Sequence, residues 1–168
     1  MIYVVRDNIL NTKVDAIVNP ANVSLLAGSG LCGVIHKHAG PGLETDCKTL
    51  GQQEYGNAVI TKAYSLPNCE HIIHACGPRW LDGAHGEDEL LTLTYQNIIN
   101  VALENKLSPI AIPAISTGIY RFPIKEAARI AVTTINKQRS ISSLDIVFVI
   151  RELDKYLVYK NFLEKYKC

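Results

Sequence analysis

Two stretches of the chain combine glycine, amide and hydroxyl residues in a way that suits an anionic ligand. The first runs Asn19-Pro-Ala-Asn22 and, after a short interval, Gly28-Ser-Gly30-Leu31-Cys32-Gly33-Val34. Glycines lacking Cβ let backbone N–H groups approach an anion closely, and a following helix presents its positive end there. The second is Ala114-Ile-Ser116-Thr117-Gly118-Ile119-Tyr120, a run of small and hydroxyl-bearing residues around a glycine that can form a nest of N–H donors. Two such cradles at one sheet edge suggest a ligand with two phosphates. Gly28 to Gly33 spells G-x-G-x-x-G, but a dinucleotide-binding fingerprint starts in the turn directly after its strand, and here residues 20–27 intervene. Neither loop holds the lysine of a P-loop, which argues against a nucleoside triphosphatase.

Other chemistries find less support. Cys69, His71, His74 and Cys76 resemble a metal-ligand cluster, yet they fall on a strand whose side chains alternate faces, so one tetrahedron cannot collect them. No metal site is expected. Seventeen Lys and Arg against sixteen Asp and Glu leave a net charge of +1, too little for the broad positive field of a nucleic-acid binder. The longest apolar runs, such as residues 146–150, fall far short of the ~20 residues of a bilayer span, and Arg6 and Asp7 interrupt any leader-like start. Five cysteines in a chain of 168 residues, odd in number and needing no staples, point to a reducing cytoplasm.

The elements that must position the two loops follow from periodicity and breakers. Residues Ile2–Val5, Asp15–Asn19, Ala58–Lys62, His71–Cys76, Pro109–Pro113 and Leu144–Ile150 read as strands. Helical spacing marks Asp88–Asn105, with Leu90, Leu91, Tyr95, Ile98, Ile99 and Ala102 on one face. Val34–Leu50 reads as a helix interrupted near Gly40-Pro41-Gly42. Pro123 opens another that runs to about Lys137, and Asp154–Lys167 closes the chain. With 48% hydrophobic and 20% charged residues, this alternation predicts one α/β domain over residues 1–168. In such sheets ligands sit beyond the carboxyl ends of the strands, which is where both loops fall.

The ordered blocks Val14-Asp-Ala-Ile-Val-Asn19-Pro-Ala-Asn22, Gly33-Val-Ile-His36-Lys-His-Ala-Gly40, His74-Ala-Cys-Gly77-Pro78 and Pro113-Ala-Ile-Ser-Thr-Gly118-Ile-Tyr120-Arg-Phe-Pro123 together resemble the macro domain, an ADP-ribose-binding module, and within it the MacroD-type ADP-ribosyl hydrolases. The resemblance implies a three-layer α/β/α fold around a central mixed, largely parallel sheet. It implies ADP-ribose or O-acetyl-ADP-ribose as ligand, mono-ADP-ribosylated proteins as partners, and no cofactor. Asp7 would accept a hydrogen bond from the adenine amino group, or else serve as a turn cap. Asn22 would hold the distal ribose and help place the attacking water, its amide both donating and accepting. Asn8, Asn19, Gly30, Leu31, Gly33 and Val34 would line the ligand, with Asn19 chiefly bracing the loop. Ser116, Thr117, Gly118, Ile119 and Tyr120 would wrap the diphosphate. Tyr120 would cover the distal ribose, or else pack into the core. His36 reads as a loop brace rather than a base.

The chain departs from the pattern where mechanism is concerned. Cys32 stands where these enzymes usually carry a catalytic aspartate, and an unperturbed thiol is a poor acceptor for a water proton at neutral pH. Alphavirus macro domains resemble this chain in having a cysteine in that loop, so turnover through Asn22, the ligand's own phosphate and backbone-held water is one expectation. A non-catalytic ADP-ribose reader is the other. Cys32 also reads as a nucleophile or redox-sensitive thiol, or as a small residue leaving room for the ribose. Arg121 replaces a frequent glycine and either gates the second loop or is solvated. Arg151 matches an arginine that lies against the adenine in the alphavirus members, or it pairs with Glu152 or Asp154.

Overall fold

A computed structural model describes residues 1–139 and 142–166. Strands β1 (Ile2–Val5), β2 (Ala16–Pro20), β3 (Ala58–Lys62), β4 (His71–Ala75), β5 (Ile110–Ile112) and β6 (Ile146–Val149) form one sheet in the order β1-β6-β5-β2-β4-β3. Every neighbouring pair is parallel except β3 with β4. Helices α1 (Gly30–Ala39), α2 (Pro41–Leu50), α3 (Glu87–Glu104), α4 (Ile124–Arg139) and α5 (Leu153–Glu164) flank the sheet on both sides.

Side-chain alternation divides the sheet between two cores. Ala16, Val18, Ile73, Ile110, Ile112, Ile146 and Phe148 face Tyr95, Ile98, Ala131 and Tyr159 of α3, α4 and α5. Ile17, Ile72, Ala111, Val147 and Val149 face Ile35, Leu43 and Cys47 of α1 and α2. Both faces are covered, so the strands read as unbroken apolar runs, as parallel sheets do. This is the three-layer α/β/α arrangement with a mixed, largely parallel sheet.

Differences from the expected elements lie at their ends. The first helix begins at Gly30, four residues before Val34, so the second half of the glycine stretch is helix rather than loop. It breaks at Gly40, whose φ is 91°, and restarts with Pro41 in the first turn. A 3-10 turn at Ile9–Asn11 is capped by Asn8 rather than Asp7, the Asn8 side-chain oxygen accepting from Leu10 N at 3.0 Å. The expected helix end at Lys167, and Cys168, lie outside the described residues. Among the described residues no helix is long and apolar enough to cross a membrane. Cys32, Cys47, Cys69 and Cys76 are free thiols.

The connection from β4 to α3 is irregular and is held by one carboxylate. Glu87 accepts from the N–H groups of Leu81, Asp82 and Gly83 through Oε2, at 3.1, 3.1 and 2.8 Å, and from His85 N through Oε1 at 2.6 Å. Asp82, His85 and Glu87 could each offer an atom to a metal ion. Glu87 is already committed to four backbone donors, however, which makes the group a loop clasp.

Candidate functional site

The carboxyl ends of β1, β6, β5, β2 and β4 open into one cleft of about 630 Å³. Along the sheet edge its lining runs from Asp7, Asn8 and Arg151, through Pro113 to Tyr120, to Asn22, Gly28 to Cys32 and Gly77. From β1 to β4 is four strand spacings, about 19 Å, enough for an elongated ligand laid along the edge.

The middle of the cleft is a cradle of unspent donors. In the loop after β5 the carbonyls point away: Ala114 O accepts from Thr117 Oγ1 at 2.8 Å, Ser116 O from Phe122 N at 2.9 Å, Thr117 O from Lys155 Nζ at 3.2 Å, Gly118 O from Arg121 N at 3.0 Å, and Tyr120 O from Trp80 N at 2.8 Å. None of the N–H groups of Ser116 to Tyr120 finds a backbone acceptor among the described residues. Ser116, at φ 65°, also buries its hydroxyl without a partner while lining the cleft. Strain and an unmet polar atom at one residue mark a place prepared for something else. Across the cleft α1 begins with no side-chain cap, so the N–H groups of its first turn are open as well.

Asn22 stands at the β2 end, its amide already oriented. Nδ2 donates to Leu26 O at 2.9 Å and Oδ1 accepts from Ser24 Oγ at 2.6 Å. Each end keeps one further bond for a ligand. Cys32 lines the cleft but is 6% exposed, and its Sγ donates to the same Leu26 O at 3.7 Å while accepting from Asn19 Nδ2 at 3.8 Å. Tyr120 lines the cleft with the Arg79 guanidinium carbon 5.2 Å from its ring centroid. Arg151 also lines it; its carbonyl accepts from Arg6 Nε at 3.1 Å, and Glu152 pairs with Lys155 instead of with Arg151. Asp7 lines the cleft and its Oδ1 accepts from Asn8 N and Asn11 Nδ2 at 2.6 and 3.2 Å, while the cap of the turn that follows is Asn8.

Two residues expected against the ligand sit elsewhere. Asn19 is fully buried outside the cleft lining, because its side chain on β2 shares a face with that of its register partner His74 on β4. Its Nδ2 donates to His74 Nδ1 at 3.0 Å, so the His74 proton lies on Nε2, which donates to Thr61 Oγ1 at 2.9 Å. Gly33 faces Gly28 rather than the cleft, and an added Cβ there would stand 2.2 Å from Gly28 O. Gly30, Leu31, Val34, Ser116, Thr117, Gly118 and Ile119 are in the lining, as is Asn8. His36 is outside it, a buried residue of α1. Sequence reasoning missed Lys155, 15% exposed in the first turn of α5, although a lysine at the start of the closing helix was a signal available to it.

Burial, with a smaller contribution from nearby His36, pushes the His74 pKa down to about 3. Its folded pKa lies below the unfolded value near 6.5, so the folded state binds fewer protons. Its stabilising contribution is complete above 6.5 and is lost as pH falls toward 3. Ring resonances of His74 in an NMR titration should therefore hold the Nε2–H pattern from pH 8 to 5; protonation above pH 5 would contradict this arrangement.

A family model, the Macro domain, matches residues 18–131 of this chain. The chain belongs to the macro domain family. This macro domain is 47% identical over 157 residues to an uncharacterized protein of Fusobacterium nucleatum, covering 92% of this chain and 87% of that one. It is 44% identical over 168 residues to a Citrobacter rodentium protein named O-acetyl-ADP-ribose deacetylase, with 96% and 94% covered. Among solved structures it superposes on an Oceanobacillus iheyensis macrodomain variant with ADPR at a TM-score of 0.92 and 35% identity, covering 98% of this chain and 92% of that one.

Proposed function

We propose that this macro domain binds ADP-ribose along the cleft and hydrolyses ADP-ribosyl esters, namely mono-ADP-ribosylated Asp or Glu on proteins and O-acetyl-ADP-ribose. The carrying observation is the pair of facing donor sets, residues 116–120 and the uncapped start of α1, each with its N–H groups unspent. A diphosphate placed between them meets preorganised dipoles that need no rearrangement. Adenine would then lie at Asp7 and Arg151, and the distal ribose at Asn22 and Tyr120. The ligand printed for the Oceanobacillus structure and the activity named for the Citrobacter relative support the same reading.

Turnover would rest on positioning. Asn22 holds the ribose and a water through the bonds its amide has left, and fixing two reactants in this way accounts for much of many enzymes' acceleration. Hydrolysis yields ADP-ribose and the free carboxylate, with the elements of water divided between them. A reader function remains as the second reading because Cys32 is engaged with Leu26 O and Asn19, a bracing position rather than that of a proton acceptor. The four free thiols among the described residues support a cytoplasmic setting.

A time course of ADP-ribose release from a protein modified on glutamate separates the two readings. Native protein should release it, and Asn22→Ala should slow release by about 100-fold or more. No release by native protein, with release gained in Cys32→Asp, would make the chain a reader.

A further inference from the structure

Beside the β2 and β4 end of the cleft two arginines carry unpaired charge. At the β2 and β4 end, where the distal ribose would sit, the glycine loop from Asn22 to Val34 holds no charged residue. Arg79 stands shortly after β4 and over the ring of the cleft-lining Tyr120, Arg121 directly follows Tyr120, and both arginine side chains are exposed. Neither has a carboxylate within ion-pair distance among the described residues. The nearby Asp82 is turned into its own loop, where Oδ1 accepts from Ala84 N at 2.8 Å and meets His85 Nδ1 at 2.7 Å. The two arginines are tied together, since Trp80 N bonds Tyr120 O and Arg79 lies over the Tyr120 ring. Leu81 and Ile119, 66% and 73% exposed, flank them with unpartnered apolar surface.

Arg121 also sits at φ 59°, a left-handed conformation that a glycine would adopt without strain. A strained arginine with no ion-pair partner among the described residues, next to the cleft-lining Tyr120, is the kind of outlier that persists where the side chain is used. We infer that Arg79 and Arg121 form a docking lip for the protein that carries the ADP-ribosyl group, selecting substrates whose modified residue lies among acidic side chains. This rests on the proposed function, because only a macromolecular ADP-ribose adduct emerges at that end. Free ADP-ribose and O-acetyl-ADP-ribose carry no acidic side chains beyond the distal ribose to meet these charges. Two solvent-exposed charge pairs give a modest, salt-sensitive preference.

The test compares three ligands by calorimetry: free ADP-ribose, and two peptides carrying ADP-ribose through a non-hydrolysable linkage, one with acidic and one with neutral flanking residues. Native protein should bind the acidic peptide about fivefold more tightly than the neutral one at low ionic strength. Arg121→Glu should abolish or invert that preference, and Arg79→Gln should reduce it. Arg121→Gly, which relieves the left-handed strain, should lose it while binding free ADP-ribose like native protein. Equal binding of the two peptides by native protein, or a preference that survives Arg121→Glu and Arg79→Gln, would overturn the lip alone. Failure of free ADP-ribose itself to bind would overturn the proposed function and the lip with it.

Discussion

Substituting alanine for Gly33 is expected to weaken ADP-ribose binding by at least tenfold and to lower Tm by roughly 2–12 °C. An added Cβ would stand 2.2 Å from Gly28 O and 3.3 Å from Gly28 C, and both are backbone atoms that no rotamer change can move aside. Either α1 or the glycine loop must shift. Overpacking of this kind costs about 1–3 kcal/mol, and each kcal/mol moves Tm by about 2–4 °C in a chain of this size. The loop's route back into the site is short, because a Cβ at Gly28 would itself lie 3.2 Å from Asn22 Nδ2. Displacing Gly28 therefore disturbs the amide at the centre of the proposed chemistry. Gly118→Ala is the stability control, since nothing lies within 4 Å of its added Cβ. Scanning and titration calorimetry read both effects; a Gly33→Ala protein that melts and binds like the parent would mean that the loop does not depend on this approach.

Glu87→Ala should be the most destabilising change of a carboxylate in the chain, lowering Tm by roughly 5–10 °C. It strands the N–H groups of Leu81, Asp82, Gly83 and His85 at once. Damage should spread to the ligand loop as well, because the same connection carries Trp80, whose ring lies 4.9 Å from Phe122 and whose N–H holds Tyr120 O. Burial alone would raise the Glu87 pKa, but the four donors outweigh it and hold it down to about 2. A depressed carboxylate stabilises fully above its unfolded pKa, here 4.5, and loses that contribution as pH falls toward 2. Melting curves across this window should fall steeply for the native protein and more gently for Glu87→Gln. Parallel curves would remove the carboxylate from the account.

Much of this architecture was already legible in the chain, for reasons that are local. The apolar runs at Ala16–Val18, Ile72–Ile73, Ile110–Ile112 and Ile146–Ile150 announced strands covered on both faces, and the periodicity of α3 identified Tyr95 and Ile98 as core. Glycine and hydroxyl content marked the two loops, because an anion site built from backbone N–H groups needs residues that leave the backbone accessible. Ordered blocks spread along the chain carried the family resemblance where any one alone would not. Conversely, the G-x-G-x-x-G spelling misleads until its distance from the strand is counted.

What tertiary structure decided are the partnerships across sequence distance. Periodicity tells which face of an element is buried but not which element lies against it. Asn19 bonds His74, 55 residues away, because β4 pairs beside β2. Lys155 reaches Thr117, 38 residues back, because α5 starts where β6 ends next to β5. The close approach of Gly33 to Gly28 O depends on α1 beginning at Gly30, beside its own loop. The sequence by itself determined which residues could bind an anion and which must be buried; strand order determined which of them meet, since side-chain chemistry is local and adjacency is a property of the whole sheet.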